Sequence, residues 1–286
     1  MILVHTRAEL ADARAKLSGP VVLVPTMGAL HDGHRALLKH AREIAGDTGS
    51  VVVSIFVNPL QFGPAEDLDR YPRTLPEDLA IAEAEGADLV FAPRVADMYP
   101  EKQLVMVDPG PAGDVLEGEF RPGFFKGVLT VVLKLFTLVR PDIAVFGQKD
   151  AQQIALVRRM AADFALGIEV AGVPTVRAAD GLALSSRNKY LTSPERAQAP
   201  ALYDALAAGA AAAAGGPRAV RETALRTLEV TGDAFAVDYV EVMDERSATV
   251  VKDEDFRGPA VLAVAARLGT TRLIDNVPVR FHAADD

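Results

Sequence analysis

The amino-acid sequence contains no cysteine among its 286 residues. Without cysteine the chain has no disulfide bonds, no thiolate nucleophile and no zinc site with cysteine ligands. Such a composition fits the cytoplasm, where disulfides are rare. The first residues, MILVHTRAELADARAKL, also lack the basic start and long apolar run that are typical of a signal peptide. The sequence therefore predicts a cytoplasmic protein.

An excess of positive charge is also lacking. Lys and Arg number 30 and Asp and Glu number 39, so the formal net charge is −9. A net-acidic surface argues against non-specific nucleic-acid binding and against docking on anionic lipid. It still allows a small anionic substrate, because a local cluster of cations can outweigh the net field. We expect no nucleic-acid partner and no membrane partner.

No hydrophobic run reaches the length of a membrane span. The most apolar stretch is VLTVVLKLFTLV, at 128–139, and it contains Lys134. A spanning helix needs about 20 apolar residues. The stretch is therefore predicted to be a buried helix. The polar, proline-flanked segment 61–73 is predicted to be a mobile loop.

Short apolar runs alternate with helical patterns in the first part of the chain. This alternation is typical of a parallel sheet with helices on both faces, an α/β Rossmann-like fold that binds ligands at the carboxyl ends of its strands. At about 150 residues per domain, the length suggests two domains. We predict a Rossmann-like first domain at 1–175. The predicted strands are 21–26, 50–57, 88–93, 143–147 and 168–176.

The character of the sequence changes after about residue 176. An alanine-rich helical stretch, a Gly-Gly-Pro break and a second helical stretch come first. Strand-like runs follow at 234–241, 260–268 and 271–281. We predict a smaller C-terminal α+β domain at 176–286 that closes over the active site.

Two of the five histidines stand three residues apart directly after the first long apolar run, in VPTMGALHDGH. His31 and His34 would share one side of the first turn of a helix, whose free N–H groups suit a phosphate. A helix cap is the simpler alternative, and a zinc site would need a third ligand. The pattern His-x-Gly-His after a first strand resembles the signature of the nucleotidyltransferase superfamily.

Polar motifs follow two further predicted strands. FVNPLQFG places the amides of Asn58 and Gln61 after the second run, although a polar turn would also explain Asn-Pro. FGQKDAQQ places Lys149 and Gln153 on one helix face. A lysine at a helix N-terminus opposes the helix dipole unless an anion neutralises it, which indicates phosphate nearby. The alternative is a solvated Lys149 beside a capping Asp150.

DGLALSSRN, at 180–188, adds a loop with Ser185, Ser186 and Arg187. These side chains can bind pyrophosphate oxygens, Arg through its planar fork. Such a loop taken alone is often only a connection. Because three of the motifs follow strand ends, we expect them to gather at one edge of the sheet.

Taken together, these stretches resemble the pantothenate synthetase (pantoate–β-alanine ligase) family. The matching segments are PTMGALHDGH, FVNPLQFGPAEDLDRYPRT, FRPGFFKGVLTVVLKLF, FGQKDAQQ, VPTVRAADGLALSSRNKYL and ARLGTTRLIDN, in the family's order between residues 25 and 276. The resemblance implies that Gln61 contacts pantoate and β-alanine and that Gln153 contacts pantoate; we add Asn58 as a substrate contact. The implied ATP contacts are Met27, Gly28, Ala29, Leu30, His31, Asp32, Gly33, His34, Gly147, Gln148, Lys149, Asp150, Val176, Leu184, Ser185, Ser186 and Arg187.

The activity that the resemblance implies is a two-step ligation of (R)-pantoate and β-alanine. Pantoate would attack the α-phosphate of ATP to give pantoyl adenylate and pyrophosphate, and β-alanine would then displace AMP. His34 would be the acid, and His31, Lys149 and Arg187 would act on the phosphates. The resemblance also implies a homodimer. Mg²⁺ is expected with ATP, and Glu77 and Asp78 are its candidate ligands, although first-turn helix acids explain both equally well.

Three positions depart from the family pattern, which commonly has His at Phe124, Glu at Gln148 and Tyr at Ala151. An adenylyltransferase of the same superfamily is the alternative enzyme, and it leaves Gln61, Gln153 and the serine loop unexplained together. A tRNA synthetase is disfavoured by the acidic charge and the small second domain. A nucleotide-binding module without activity is the non-enzymatic alternative.

Overall fold

The computed structural model describes residues 1–64 and 68–282, and it contains two separate β-sheets. A six-stranded parallel sheet occupies the first part of the chain, and a three-stranded antiparallel sheet the last part. The predicted fold class is confirmed. The strands are β1 (Ile2–Val4), β2 (Val21–Thr26), β3 (Ser50–Ile55), β4 (Leu89–Phe91), β5 (Ile143–Gly147), β6 (Glu169–Val173), β7 (Phe235–Asp244), β8 (Gly258–Leu268) and β9 (Thr271–Phe281).

Helices connect and cover these strands. The α-helices are α1 (Arg7–Arg14), α2 (Asp32–Ala45), α3 (Leu75–Ala84), α4 (Val95–Met98), α5 (Glu117–Phe120), α6 (Phe124–Val139), α7 (Ala151–Asp163), α8 (Ser193–Gln198), α9 (Ala201–Ala211) and α10 (Gly216–Glu229). Short 3₁₀ helices occur at Pro59–Gln61, Leu68–Arg70, Gly110–Gly113, Gln148–Asp150, Ser186–Tyr190, Ala213–Gly215 and Gly232–Ala234. Residues 65–67 of the predicted loop 61–73, and residues 283–286, lie outside the described chain.

The parallel sheet has the order β1-β4-β3-β2-β5-β6, so β2 lies between β3 and β5. The chain moves outward from β2 in one direction through β3 and β4, and then returns to β5 on the other side. Such a reversal opens a crevice at the carboxyl ends of the strands, where ligands bind in open α/β sheets. The crevice therefore lies beyond the ends of β2 and β5.

Side chains from β2 alternate between two cores. Val21 and Leu23 pack with α6 and α7, whereas Val22 and Val24 pack with α2 and α3. All four side chains are fully buried, which explains why β2 is an unbroken apolar run rather than an alternating one. Burial on both faces makes β2 a rigid base for the loop that follows it.

The helix α6 is the predicted buried helix, and it extends the apolar run by four residues at its N-terminal end. Most of its side chains are buried against the parallel sheet and α7. Gly127 allows a close approach, because a Cβ there would lie 2.1 Å from the carbonyl oxygen of Leu60. None of the helices in the described part of the chain is long and apolar enough to cross a membrane.

The antiparallel sheet is covered by α9 and α10 and is tied to the parallel-sheet part by a buried ionic cluster. Arg272 of β9 donates two hydrogen bonds to the Glu117 carboxylate, of 2.7 and 2.9 Å. Its Nε donates to Asp238, and Tyr239 donates to Glu117. Glu117 precedes α6 in the chain, so the cluster joins the two sheets. The boundary between domains at residue 175 stays a prediction.

Candidate active site

A cleft lies beyond the carboxyl ends of β2, β3 and β5. The loops after these strands meet there because parallel strands end at the same edge of a sheet. The cleft contains most of the residues that the sequence nominated for ATP and substrate. They are Met27, His31, Gly33, His34, Asn58, Gln61, Gly147, Lys149, Asp150, Gln153, Val176, Leu184, Ser185, Ser186 and Arg187.

Five nominated ATP contacts do not line this cleft. Gly28, Ala29 and Leu30 lie in the loop between β2 and α2, with positive φ values of 82° at Gly28 and 51° at Ala29. The Asp32 side chain is 80% exposed and lies beside Arg35. The Gln148 side chain faces β6, where a Cβ at Gly172 would meet its Nε2 atom at 3.1 Å. The structure therefore does not place these side chains with the others.

The two histidines cap the start of α2 reciprocally. Nδ1 of His31 accepts a hydrogen bond of 3.1 Å from the backbone N–H of Gly33. Nδ1 of His34 accepts one of 3.2 Å from the backbone N–H of His31. In a neutral imidazole the accepting nitrogen carries no proton, so each ring carries its proton on Nε2. The ring centroids are 4.2 Å apart. The pair therefore offers two neighbouring N–H donors.

Burial keeps both histidines neutral. Burial first, and the neighbouring His31 second, together lower the pKa of His34 to about 3. The pKa of His31 is also lowered, first by burial and then by the positive charge of Lys149, against an opposing effect of Asp32. In the protein without ligand, His34 is thus a neutral hydrogen-bond donor, and its role as the acid stays a prediction.

Two cationic side chains line the same cleft as the histidine pair. Lys149 lies in the 3₁₀ helix that leads into α7, close enough to His31 for its charge to affect that ring. Arg187 lies in the 3₁₀ helix Ser186–Tyr190, which Ser185 caps by accepting a hydrogen bond of 3.3 Å from the Arg187 N–H. Two cations and two imidazole N–H groups in one cleft suit a polyphosphate.

The cleft also carries buried amides. Asn58 is 1% exposed and Gln61 8%. Nδ2 of Asn58 donates to Oε1 of Gln61 at 3.1 Å and to the carbonyl of Gly127 at 3.2 Å. Oδ1 of Asn58 accepts from the Tyr99 hydroxyl at 2.9 Å. The polar atoms of Asn58 are bonded within the protein, so this side chain positions Gln61. These bonds do not support the predicted contact of Asn58 with substrate.

Gln61 keeps hydrogen-bonding capacity for a ligand. Its Nε2 atom donates to the sulfur of Met27 at 3.2 Å, and within the described part of the chain its Oε1 atom accepts from Asn58. An amide nitrogen has two hydrogens and an amide oxygen two lone pairs, so one donor and one acceptor remain. Gln153 lines the same space from α7.

The predicted metal ligands Glu77 and Asp78 do not form a metal site. Asp78 is buried, and its carboxylate accepts hydrogen bonds from the N–H groups of Ala29 at 3.0 Å and Leu30 at 2.8 Å. Glu77 is exposed. Within residues 1–64 and 68–282, no group of three or more His, Asp or Glu side chains could hold a metal. Asp78 instead holds the loop between β2 and α2, and the zinc alternative has no ligand set among these residues.

Sequence reasoning missed two kinds of cleft residue. Arg121 lies in the cleft, stacks on the ring of Phe124 at 3.5 Å and donates to the carbonyl of Gln61 at 3.4 Å. Arg121 stands in FRPGFFKG, a stretch that matches the family pattern, and this match could have identified it. The apolar residues that line the cleft could not be identified from the sequence, because their pattern is the same as that of core residues. They are Phe56, Phe62, Val128, Val131, Val132 and Leu135.

Comparison with known proteins decides the family. The sequence model of the pantoate–β-alanine ligase family matches residues 2–278. The chain belongs to this family. It is 57% identical over 283 residues to the pantothenate synthetase of Acidothermus cellulolyticus, covering 98% of this chain and 92% of that one. It is 58% identical over 287 residues to the pantothenate synthetase of Thermobifida fusca, covering 97% and 95%.

Solved structures agree with this membership. The pantothenate synthetase of Thermus thermophilus superimposes with a TM-score of 0.89 at 46% identity, covering 97% of this chain and 99% of that one. The pantoate–β-alanine ligase of Francisella tularensis superimposes with a TM-score of 0.78 at 32% identity, covering 97% of each chain. That structure is described as a complex with β-γ ATP and β-alanine.

Proposed function

We propose that this protein is an ATP-dependent ligase that joins (R)-pantoate and β-alanine to form pantothenate, AMP and pyrophosphate. The observation that carries the proposal is that one cleft is lined by two histidines and two cations together with amides and apolar side chains. The histidines and cations suit a triphosphate, and the amides with the apolar side chains suit a small branched acid. Family membership supports the pairing of these two substrates.

In the first step, an oxygen of the pantoate carboxylate attacks the α-phosphorus of ATP. The bond from that phosphorus to the bridging oxygen of pyrophosphate breaks, leaving pantoyl adenylate. The Nε2–H groups of His31 and His34 would donate to the phosphate oxygens that gain charge. Lys149 and Arg187 would neutralise the departing pyrophosphate. Preorganised donors of this kind are worth more in a water-poor cleft than in solution.

On the acid side, Gln61 and Gln153 would hold the pantoate oxygens, while its branched carbon skeleton packs on the apolar side chains. The β-alanine amine then attacks the acyl carbon of the adenylate, and AMP leaves. Gln61 would also orient β-alanine. Both steps join bound reactants, so positioning supplies much of the catalysis and no protein nucleophile is required.

Further properties belong to the same proposal. Mg²⁺ would accompany ATP through the phosphates, because Glu77 and Asp78 are not arranged to bind it. The C-terminal domain, at 176–286, would close over the cleft and shield the adenylate from water. The protein would act in the cytoplasm as a homodimer, a state that sedimentation equilibrium measures directly.

The test is exchange of labelled pyrophosphate into ATP. With pantoate and without β-alanine the purified protein should catalyse exchange, because the adenylate forms reversibly while the amine is absent. Lys149→Ala and Arg187→Ala should each depress the exchange, whereas the exposed Lys39→Ala should not. Full turnover should release AMP and pyrophosphate, and release of ADP and phosphate would contradict attack at the α-phosphorus.

Two alternatives give different results in that assay. An adenylyltransferase would keep the nucleotide in its product, and it would exchange with its own phosphate acceptor but not with pantoate. An inactive nucleotide-binding module would bind ATP in calorimetry and show no exchange with any acid. Exchange that needs β-alanine but not pantoate would overturn the proposed order of the two steps.

A further inference from the structure

The segment ARLGTTRLIDN ends in two buried polar residues that have no role so far. Asp275 is 4% exposed and Asn276 6% exposed, and both lie in β9 of the antiparallel sheet. Buried polar groups are costly unless they are hydrogen-bonded, so their partners show what they stabilise. These partners lie on the two loops that carry Lys149 and Arg187.

The side-chain amide of Asn276 holds the turn that carries Lys149. Its Nδ2 atom donates to the carbonyl of Gln148 at 3.0 Å and to the carbonyl of Lys149 at 2.7 Å. An amide nitrogen has two hydrogens, so both are used on successive carbonyls of the 3₁₀ helix Gln148–Asp150. The backbone of Lys149 is therefore fixed by a side chain from the other sheet.

Asp275 holds the second loop through Arg177. The guanidinium of Arg177 donates to both oxygens of Asp275, at 2.5 and 3.0 Å, and to the carbonyl of Asn276 at 3.0 Å. Arg177 begins a short hairpin that is closed by a hydrogen bond of 2.9 Å from Leu184 N–H to the carbonyl of Val176. This hairpin leads directly into Ser185. Two adjacent residues of β9 therefore hold both phosphate-facing loops.

We propose that Asn276 is a positioning residue for adenylate formation, acting through Lys149. The inference rests on the proposed function, in which Lys149 neutralises pyrophosphate. The lysine stem is long and flexible, so the position of its ammonium group depends on a fixed backbone beneath it. A misplacement of about 1 Å in an active site can lower a rate by about 10²-fold. The antiparallel sheet thus contributes to the first step without touching the substrates.

The experiment is a double-mutant cycle between Asn276 and Lys149. Asn276→Asp keeps the shape of the side chain and removes both donors. It should lower the maximal rate of ATP–pyrophosphate exchange by about 10- to 100-fold, with little change in the KM for pantoate. In the Lys149→Ala background the same change should have little further effect, because residues that act as a unit are not additive. Asn276→Ala is the second variant, without a buried charge.

Controls separate positioning from general damage. Thr271→Val changes a buried residue on the same strand whose hydroxyl has no partner within the described residues, and it should leave exchange unchanged. Circular dichroism and thermal unfolding of each variant verify folding. Equal losses with and without Lys149 would show that Asn276 is only structural and would overturn the inference, as would an unchanged rate in both Asn276 variants.

The double-mutant cycle can also be carried out on ATP affinity, which calorimetry measures without turnover. Asn276→Asp should weaken ATP binding in the wild-type background and not in Lys149→Ala. A wild-type protein without exchange would contradict the proposed function, while this binding cycle would still decide the role of Asn276. Additive losses of ATP affinity in the double variant would refute the proposed role of Asn276.

Discussion

Nδ1 of His34 accepts a hydrogen bond of 3.2 Å from the backbone N–H of His31, and this contact determines which ring nitrogen carries the proton. The free N–H is on Nε2, the nitrogen left for a ligand. The same arrangement recurs at His31, where Gly33 supplies the backbone N–H. The helix start thereby prepares two donors before any substrate binds.

Replacing His34 tests the value of such a donor. His34→Ala should slow adenylate formation by about 10²–10³-fold, the effect of removing one transition-state donor. Pyrophosphate exchange measures it. His40→Ala is the matched control, because His40 lies in the same helix and its side chain is 40% exposed. An unchanged rate in folded His34→Ala would limit this residue to capping the helix.

The low pKa of His34 predicts a pH-dependent stability. The pKa is about 3 in the folded protein and ordinarily 6.5, so between these values the unfolded chain binds a proton that the folded chain does not. The free energy of unfolding should therefore fall as the pH falls from about 6.5 towards 3, by at most about 1.4 kcal/mol per pH unit from this group. Urea unfolding across this range should show a smaller slope for His34→Gln than for the wild type. The same dependence of the free energy of unfolding on pH in both proteins would contradict this prediction.

Substitutions at Asp78 and at its neighbour Glu77 test whether these carboxylates have a structural role or bind a metal. Asp78→Ala leaves two buried N–H groups without an acceptor, and each such loss costs about 1–3 kcal/mol. We expect a lower urea midpoint and slower exchange at every Mg²⁺ concentration. Glu77→Ala should change neither. A defect in both variants that added Mg²⁺ restores would instead indicate metal ligands.

The amide pair predicts separate effects on pantoate binding. Gln61→Ala should raise the KM for pantoate and lower the exchange rate, because a direct contact is lost. Asn58→Ala should have a similar but smaller effect on exchange and should also lower stability, since it leaves the Tyr99 hydroxyl without its acceptor. The exposed Gln198→Ala is the control for both. Steady-state kinetics and urea unfolding measure the two effects.

The ionic cluster between the sheets should contribute far more to stability than a surface pair. Glu117 and Arg272 are 9% and 15% exposed, so Glu117→Gln removes one partner of a buried pair and should cost about 3–5 kcal/mol. Arg159 and Asp163 form an exposed pair, and Asp163→Asn should cost about 0–1 kcal/mol. Urea unfolding compares them, and equal losses would contradict a special role of the buried pair.

Strands and their order along the chain were largely predictable. The runs 143–147 and 271–281 coincide with β5 and β9, and the long apolar helix was recognised by its composition. The first strand, β1, was not predicted. Its place at the sheet edge depends on pairing with β4, which comes more than eighty residues later.

Within the site, motifs after strand ends predicted which loops meet. Lys149 and Gln153 do share one cleft, as their helical spacing indicated. The partners of buried polar groups were not predictable. Nothing near Asp78 in the chain announces that its carboxylate holds the backbone of Ala29 and Leu30, and nothing near Asn276 points to Gln148.

The sequence by itself determined the α/β alternation, the family and the residue types of the site, because these depend on periodicity and on short motifs that are local in the chain. The tertiary structure decided which of those residues face the cleft and which support it. Three supporting residues act through hydrogen bonds to distant parts of the chain. Asp78 bonds to Leu30, 48 positions away, and Asn276 bonds to Gln148, 128 positions away. Asn58 bonds to Tyr99 and Gly127, 41 and 69 positions away. Such contacts exist only after the strands have paired, since pairing brings distant loops to one edge of the sheet.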